Sequence, residues 1–280
     1  MKDTIKRILV PIDPTIYAQA ATESACHIAR LHGSQVSGVA VLDSKEIRSS
    51  LVPAVGPYYP GVMETVIKKK NHAEQILKDC LQRFEETCEK MRVAHLETEY
   101  EGIPAQKLLE SAIFHDLIVV GVKTSFHFET RKESIEGFDC LLDRTIIPIL
   151  AVPAKGFEKP ESVLVTFDGS LGSAQALHDF ATFVQPYDCK IKIVVAGKKQ
   201  EEADFLLKNA SAFLRSHGIR NLETEAVNGE IYDVVDQELA GVVNLIVAGI
   251  HSKKFFKDQF VGSFTKSMFE RGDTALFLSH

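Results

Sequence analysis

Four short landmarks occur twice in this 280-residue chain, and in the same order. Arg7-Ile8-Leu9-Val10-Pro11-Ile12-Asp13 is echoed by Ser162-Val163-Leu164-Val165-Thr166-Phe167-Asp168. Glu101-Gly102-Ile103-Pro104 is echoed by Asn228-Gly229-Glu230-Ile231, and His115-Asp116-Leu117-Ile118-Val119-Val120-Gly121 by Val243-Asn244-Leu245-Ile246-Val247-Ala248-Gly249. Ile147-Pro148-Ile149-Leu150-Ala151-Val152 returns as Thr274-Ala275-Leu276-Phe277-Leu278. Preserved order marks an internal duplication. It predicts two units of one fold, residues 1–154 and 160–280, joined by Lys155-Gly156-Phe157-Glu158-Lys159-Pro160.

The copies differ in length. The offset is 155 residues at Asp13 and Asp168 but 128 at Gly121 and Gly249, so the first copy carries 27 extra residues. These fall most naturally in 43–70, where Pro53, Gly56, Pro57, Pro60 and Gly61 deny hydrogen bonds to helix and ladder alike and predict a long loop. That insertion, with Tyr58 and Tyr59, could cover the first unit's site, take another ligand or meet a partner.

Within each copy strand and helix alternate. Strands are predicted near 6–12, 35–42, 95–101, 116–121 and 147–152, then 161–167, 190–196, 222–227, 243–249 and 274–279. Helices are predicted near 16–32, 66–92, 104–114 and 136–145, then 170–185, 199–217, 229–240 and 262–271. Leu177, Phe180, Ala181 and Val184 recur at i, i+3, i+4 and i+7, the stripe a helix packs on a sheet. The fourth and fifth strands of each copy are apolar on consecutive residues, as for strands covered on both faces. Repeated βα units imply right-handed crossovers and two tandem doubly wound α/β domains, each a five-stranded parallel sheet with helices on both faces.

Composition excludes several function classes. A 45% apolar and 25% charged chain can bury real cores, and a net charge of −6 argues against a nucleic-acid surface. No apolar run approaches the roughly 20 residues of a membrane span, and no signal-peptide pattern is present. Five cysteines, an odd number without CxxC pairs, argue against a disulfide frame and for a reducing compartment. Cytoplasmic localisation is expected.

A binding site is suggested near the C-terminus. The strand Leu245–Ala248 runs into Gly249-Ile250-His251-Ser252, and Gly262-Ser263-Phe264-Thr265 opens a predicted helix. A glycine at a strand end lets a ligand approach the backbone, and the N–H groups of a helix start suit an anion. Ligands of doubly wound sheets sit beyond the strands' C-terminal ends, where Asp168 and Gly249 both fall.

On these residues the chain is similar to the universal stress protein family in its tandem form. That resemblance implies a Rossmann-like fold of the adenine nucleotide alpha hydrolase type, of which one branch binds ATP. That branch carries G-x-x-G, nine residues, then G-[ST], with an aspartate after the first strand, and the second copy matches at Asp168, Gly249, Gly262 and Ser263. The resemblance implies ATP or AMP as ligand, with or without Mg2+. Asp168 and Thr166 would then lie at the base and ribose, with the Ala196 backbone at the adenine edge. Gly249, Ser252, Gly262, Ser263, Phe264 and Thr265 would lie around ribose and phosphates. Ser252 departs from the family's second glycine, which would strain the loop if that position needs φ > 0. His251, Lys253, Lys254 and Lys257 would add cationic contacts to phosphate, or form a lysine-rich loop that is merely solvated. The family also implies pairing of the two domains through their last strands, and a homodimer is a further option.

The first copy keeps Pro11, Asp13, Val41 and Gly121 but not the cradle. Anchoring on Pro148 places Ile135 and Glu136 at the positions of Gly262 and Ser263, although a one-residue shift would align Ser134. A branched side chain and a carboxylate there would repel phosphate. Asp13 and Asp168 have a plainer reading as helix caps. Cys80 and Cys88, eight apart on one helix, read as core or surface thiols, and His115, Asp116 and His127 lack metal-ligand spacing.

Catalytic chemistry is not legible. There is no G-x-x-x-x-G-K-[ST] or G-x-G-x-x-G motif and no recognisable nucleophile arrangement. The expectation is a regulatory stress-response protein that binds nucleotide and has no catalytic or metal-ligating residues. A nucleotide-free interaction module and a slow ATPase or self-phosphorylating enzyme stand as alternatives.

Overall fold

The computed structural model describes residues 4–49, 62–124, 126, 128, 135–229, 231, 235, 243–250, 268–269 and 271–280. The elements of the first half are β1 (Arg7–Ile12), α1 (Ile16–His32), β2 (Gln35–Leu42), α2 (Ser44–Ser49), α3 (Val62–Met91), β3 (His95–Glu101), α4 (Pro104–Ala112), β4 (Leu117–Gly121), α5 (Ile135–Arg144) and β5 (Ile149–Val152). Those of the second half are β6 (Ser162–Thr166), α6 (Leu171–Phe183), β7 (Lys190–Ala196), α7 (Gln200–Ser216), β8 (Leu222–Val227), β9 (Leu245–Gly249) and β10 (Ala275–Ser279).

All ten strands form one sheet, in the order β3-β2-β1-β4-β5-β10-β9-β6-β7-β8. Each half therefore has the same strand order, and every pair within a half is parallel. The halves meet at one antiparallel pair, with Phe277 opposite Leu150 and Leu278 opposite Ile149. β5 and β10 are buried along their whole length, which explains the consecutive apolar residues Ile149–Val152 and Ala275–Leu278. The outer edges instead carry Glu97, Glu99 and Glu101 on β3 and Glu223 and Glu225 on β8. Charged residues on unpaired edges discourage further strand addition.

The likeness of the halves extends to local chemistry. Asp116, just before β4, accepts the backbone N–H groups of Lys6 and Arg7 at 2.8 and 2.9 Å. Asn244, just before β9, accepts those of Glu161 and Ser162 at 3.0 and 3.2 Å. Each side chain ties the fourth strand of its half to the first. Gly102 and Gly229 share φ of +150°, a conformation open to glycine and costly for other residues.

One expectation is corrected. The 43–70 stretch is not a continuous loop: α2 lies within it and α3 starts at Val62. Asp43 accepts the Glu46 N–H at 2.9 Å and so starts α2, while residues 62–70 contain neither glycine nor proline. The breakers at 53–61 lie outside the described residues. Most of the helix expected over 229–240 also lies outside them. So does most of that expected over 262–271, of which Met268, Phe269 and Arg271 are described as helical.

The linker is docked. Phe157 is buried, and its N–H donates to Ser24 Oγ on α1 at 2.8 Å. Asn244 Nδ2 donates to the Lys159 carbonyl at 2.9 Å.

Candidate functional site

The strand order reverses between β1 and β4 and again between β6 and β9, so each half has a crevice at the C-terminal edge of those strands. In the second half the structure brings together Thr166, Asp168, Ala196 and Gly249. Thr166 ends β6 and its hydroxyl donates to the Val247 carbonyl of β9 at 3.1 Å. Ala196 ends the neighbouring β7, two residues beyond Val194, which pairs with Thr166. Asp168 stands exposed two residues past β6. The remaining site residues inferred from sequence, Ser252, Gly262, Ser263, Phe264 and Thr265, lie outside the described residues.

Asp168 does not cap α6 directly. Its Oδ1 accepts the Ser170 N–H at 2.9 Å, and Ser170 is the N-cap, its own Oγ accepting the Ser173 N–H at 3.2 Å. The first half repeats the device. Asp13 Oδ1 accepts from the Thr15 N–H and hydroxyl at 2.9 and 2.5 Å, and Thr15 caps α1 by accepting the Ala18 N–H at 3.2 Å. The local aspartate turn is thus common to both halves, and its surroundings differ.

Asp13 is buried, and its second oxygen, Oδ2, accepts the Phe126 N–H at 3.1 Å. Phe126 is buried in the same apolar cluster as Leu9, Val39 and Val41, with φ of +57°. A positive φ is costly for an aromatic residue, so it records a loop held in place by its contacts. The chain leaving β4 turns at the Thr124 N–H to Gly121 carbonyl bond of 3.1 Å. Asp13 is thus buried against the first half's own chain, whereas Asp168 is exposed. The Phe126 contact spans 113 residues and leaves no sequence pattern. The backbone of Ile135 and Glu136 is helical, at the start of α5.

The strand-end glycines have a reason other than ligand approach. A Cβ on Gly249 would stand 2.3 Å from the Gly172 carbonyl carbon and the Ser173 nitrogen of α6. A Cβ on Gly121 would stand 2.4 Å from Tyr17 Cβ on α1. The helix after the first strand thus crosses the end of the fourth strand at a distance only glycine permits, in both halves. Gly249 shapes the crevice by letting α6 close on it.

Lys198, which the sequence reading did not single out, lies two residues beyond Ala196 at the same edge. Its ammonium pairs with Glu202 at 2.9 Å, which raises its pKa, and the charge of Asp168 adds to the effect. A lysine and an aspartate flanking the crevice suit a ligand with both donor and anionic groups. Among the described residues, no cluster of three or more His, Cys, Asp or Glu side chains could hold a metal ion, and no helix is long and apolar enough to cross a membrane.

Comparison with known proteins follows the same lines. The family model described as Universal stress protein family matches residues 4–129. No curated protein matches the chain. Among solved structures, a universal stress protein from Archaeoglobus fulgidus DSM 4304 superposes with a TM-score of 0.65 at 14% identity, covering 98% of this chain and 95% of that one. A provisionally assigned universal stress protein from Pseudomonas aeruginosa UCBPP-PA14 superposes with a TM-score of 0.61 at 12% identity, covering 99% and 94%. At such identities the likeness concerns the fold. The family match covers residues 4–129 and one strand order is repeated in both halves, so the chain is similar to the universal stress protein family, its length and architecture compatible with the family's tandem form.

Proposed function

We propose that the chain is a cytoplasmic stress-response protein that binds ATP or AMP, with or without Mg2+, at the crevice of its second half, and acts by regulation or interaction. The division into domains 1–154 and 160–280, paired through β5 and β10, belongs to the same reading, with homodimer formation as a further assembly. The observation that carries it is the contrast between the two aspartates. Asp13 is buried and bonded to Phe126, whereas Asp168 is exposed beside Thr166, Ala196 and Lys198. The G-x-x-S, nine residues, G-S run from Gly249 to Ser263 supports a phosphate-binding end, because backbone N–H groups at a helix start favour anions.

The test is calorimetric titration of the full chain with ATP, AMP and adenosine. One site per chain is expected. Asp168→Ala should weaken all three by roughly ten- to a hundredfold, the effect of leaving ligand donors unpaired (on the order of 1–3 kcal/mol). Gly262→Val should abolish ATP binding by filling the phosphate space. Two equal sites, or undiminished affinity in both variants, would reject the assignment.

A further inference from the structure

We propose that Cys26 and Cys88 are a site of oxidative modification, joined by hydrogen peroxide into a disulfide that cross-links α1 to α3. The two Sγ atoms lie 3.6 Å apart, one on each helix. Both thiols are free and completely buried. The helices are also tied where Gln19 Nε2 of α1, seven residues before Cys26, donates to Thr87 Oγ1 of α3, next to Cys88, at 3.3 Å. A disulfide bond is about 2.05 Å long, so sulfurs already in contact need only a modest side-chain rotation to close it.

The pair also has an order of attack. The hydrogen bond between the two sulfurs holds the Cys26 thiol below its ordinary pKa, against burial and the nearby Glu23. Cys88 is pushed upward by that same bond and by burial. Cys26 is therefore the sulfur that reacts as thiolate. It attacks one peroxide oxygen, the O–O bond breaks, and the departing hydroxide takes a proton to leave as water. Cys26 is then a sulfenic acid, oxidised by two electrons as the peroxide is reduced. The Cys88 sulfur attacks Cys26, the S–O bond breaks, and the hydroxyl leaves as a second water with the Cys88 proton. One peroxide is consumed and one disulfide formed.

The other thiols have different surroundings. Cys80 accepts a hydrogen bond from Arg83 Nη2 at 3.0 Å, Cys189 is buried with its pKa raised to about 11, and Cys140 is partly exposed. Because Cys26 and Cys88 are buried, peroxide reaches them only when α1 and α3 part. Modification then reports loosened packing together with oxidant, since local opening sets the rate.

The experiment exposes the full chain to hydrogen peroxide, blocks remaining thiols, and digests with trypsin without reduction. Mass spectrometry should find Ile8–Arg30 linked to Phe84–Lys90, peptides that contain Cys26 and Cys88 as their only cysteines. Dithiothreitol should release the link. Urea below the unfolding midpoint should speed its formation several-fold. The oxidised protein should melt several degrees higher, because the cross-link restricts the unfolded chain, and Cys88→Ser should show no such shift. Wild-type chain that ends as sulfinic acid at Cys26, or as dimers through Cys140, without the linked peptides under either condition, would overturn the proposal.

Discussion

His32 at the end of α1 stacks on Phe183 at the end of α6, with ring centroids 6.0 Å apart and planes at 24°. Tyr187 approaches the same imidazole at 5.9 Å, and Phe183 continues to Phe277 of β10 at 5.1 Å. A histidine from the first half thus sits in the aromatic core of the second, against the strand that joins the halves. Burial lowers its pKa from 6.5 to about 4, and the charge of Lys6 adds to the effect.

This arrangement predicts acid sensitivity. The folded-state pKa lies below the unfolded one, so as pH falls the unfolded chain takes up the proton first. Stability should be complete above the unfolded value of 6.5 and decline as pH drops toward about 4. The expected loss is on the order of 2–3 kcal/mol. Denaturant unfolding at a series of pH values checks it. His32→Leu should flatten the curve in that window, leaving the smaller slope due to His115, whose pKa is also lowered by burial. A curve unchanged by His32→Leu would mean that the imidazole is not the group responsible.

The paired aspartates predict opposite phenotypes. Asp13→Ala removes the acceptor of the Thr15 and Phe126 groups inside the protein, and should destabilise it by about 1–3 kcal/mol. Asp168 is exposed, and its replacement by alanine should cost less than about 1 kcal/mol while weakening nucleotide binding. Unfolding curves and titrations on the two variants separate these outcomes. Equal destabilisation by both would show that Asp168 is as structural as Asp13.

The strand-end glycines give a third expectation. Gly249→Ala and Gly121→Ala each push a methyl group to within 2.4 Å of a packed helix. Neither helix can yield locally, because the clash is with backbone or with a Cβ. A loss of about 1–3 kcal/mol or more is expected at each. Leu171→Ala, at a side chain 91% exposed, should change stability by less than about 0.5 kcal/mol. Unfolding midpoints indistinguishable from wild type in both glycine variants would remove the steric account.

These sites show which parts of the molecule are legible in sequence. Strand ends agree with the apolar runs to within one or two residues, because buried parallel strands need consecutive apolar positions. The repeated landmarks carry the strand order of both halves. Gly249 illustrates a limit: a glycine records that a Cβ does not fit, without saying whether ligand or helix excludes it. Phe126 illustrates another, since it reaches Asp13 through its backbone N–H, which every residue but proline possesses. The aromatic contact between His32 and Phe183 depends on how the halves are set together, and no local pattern encodes it. In 43–70, the cluster of breakers at 53–61 masked helices on either side.

The junction itself yields the last prediction. β5 and β10 donate and accept backbone hydrogen bonds across an antiparallel pair, from Leu276 opposite Ala151 to Leu278 opposite Ile149. Severing the chain between the halves leaves each with an edge strand whose residues are buried in the whole protein. Unpaired apolar edges recruit another strand. Residues 1–154 and 160–280 produced separately should therefore each self-associate, and mixing them should restore a one-to-one complex. The aromatic cluster adds to that preference, because Phe183 loses the His32 face when the halves part. Size-exclusion chromatography with light scattering distinguishes the cases. Two soluble monomeric halves with no tendency to combine would show that each half is stable with its last strand exposed, and that the junction contributes little to folding.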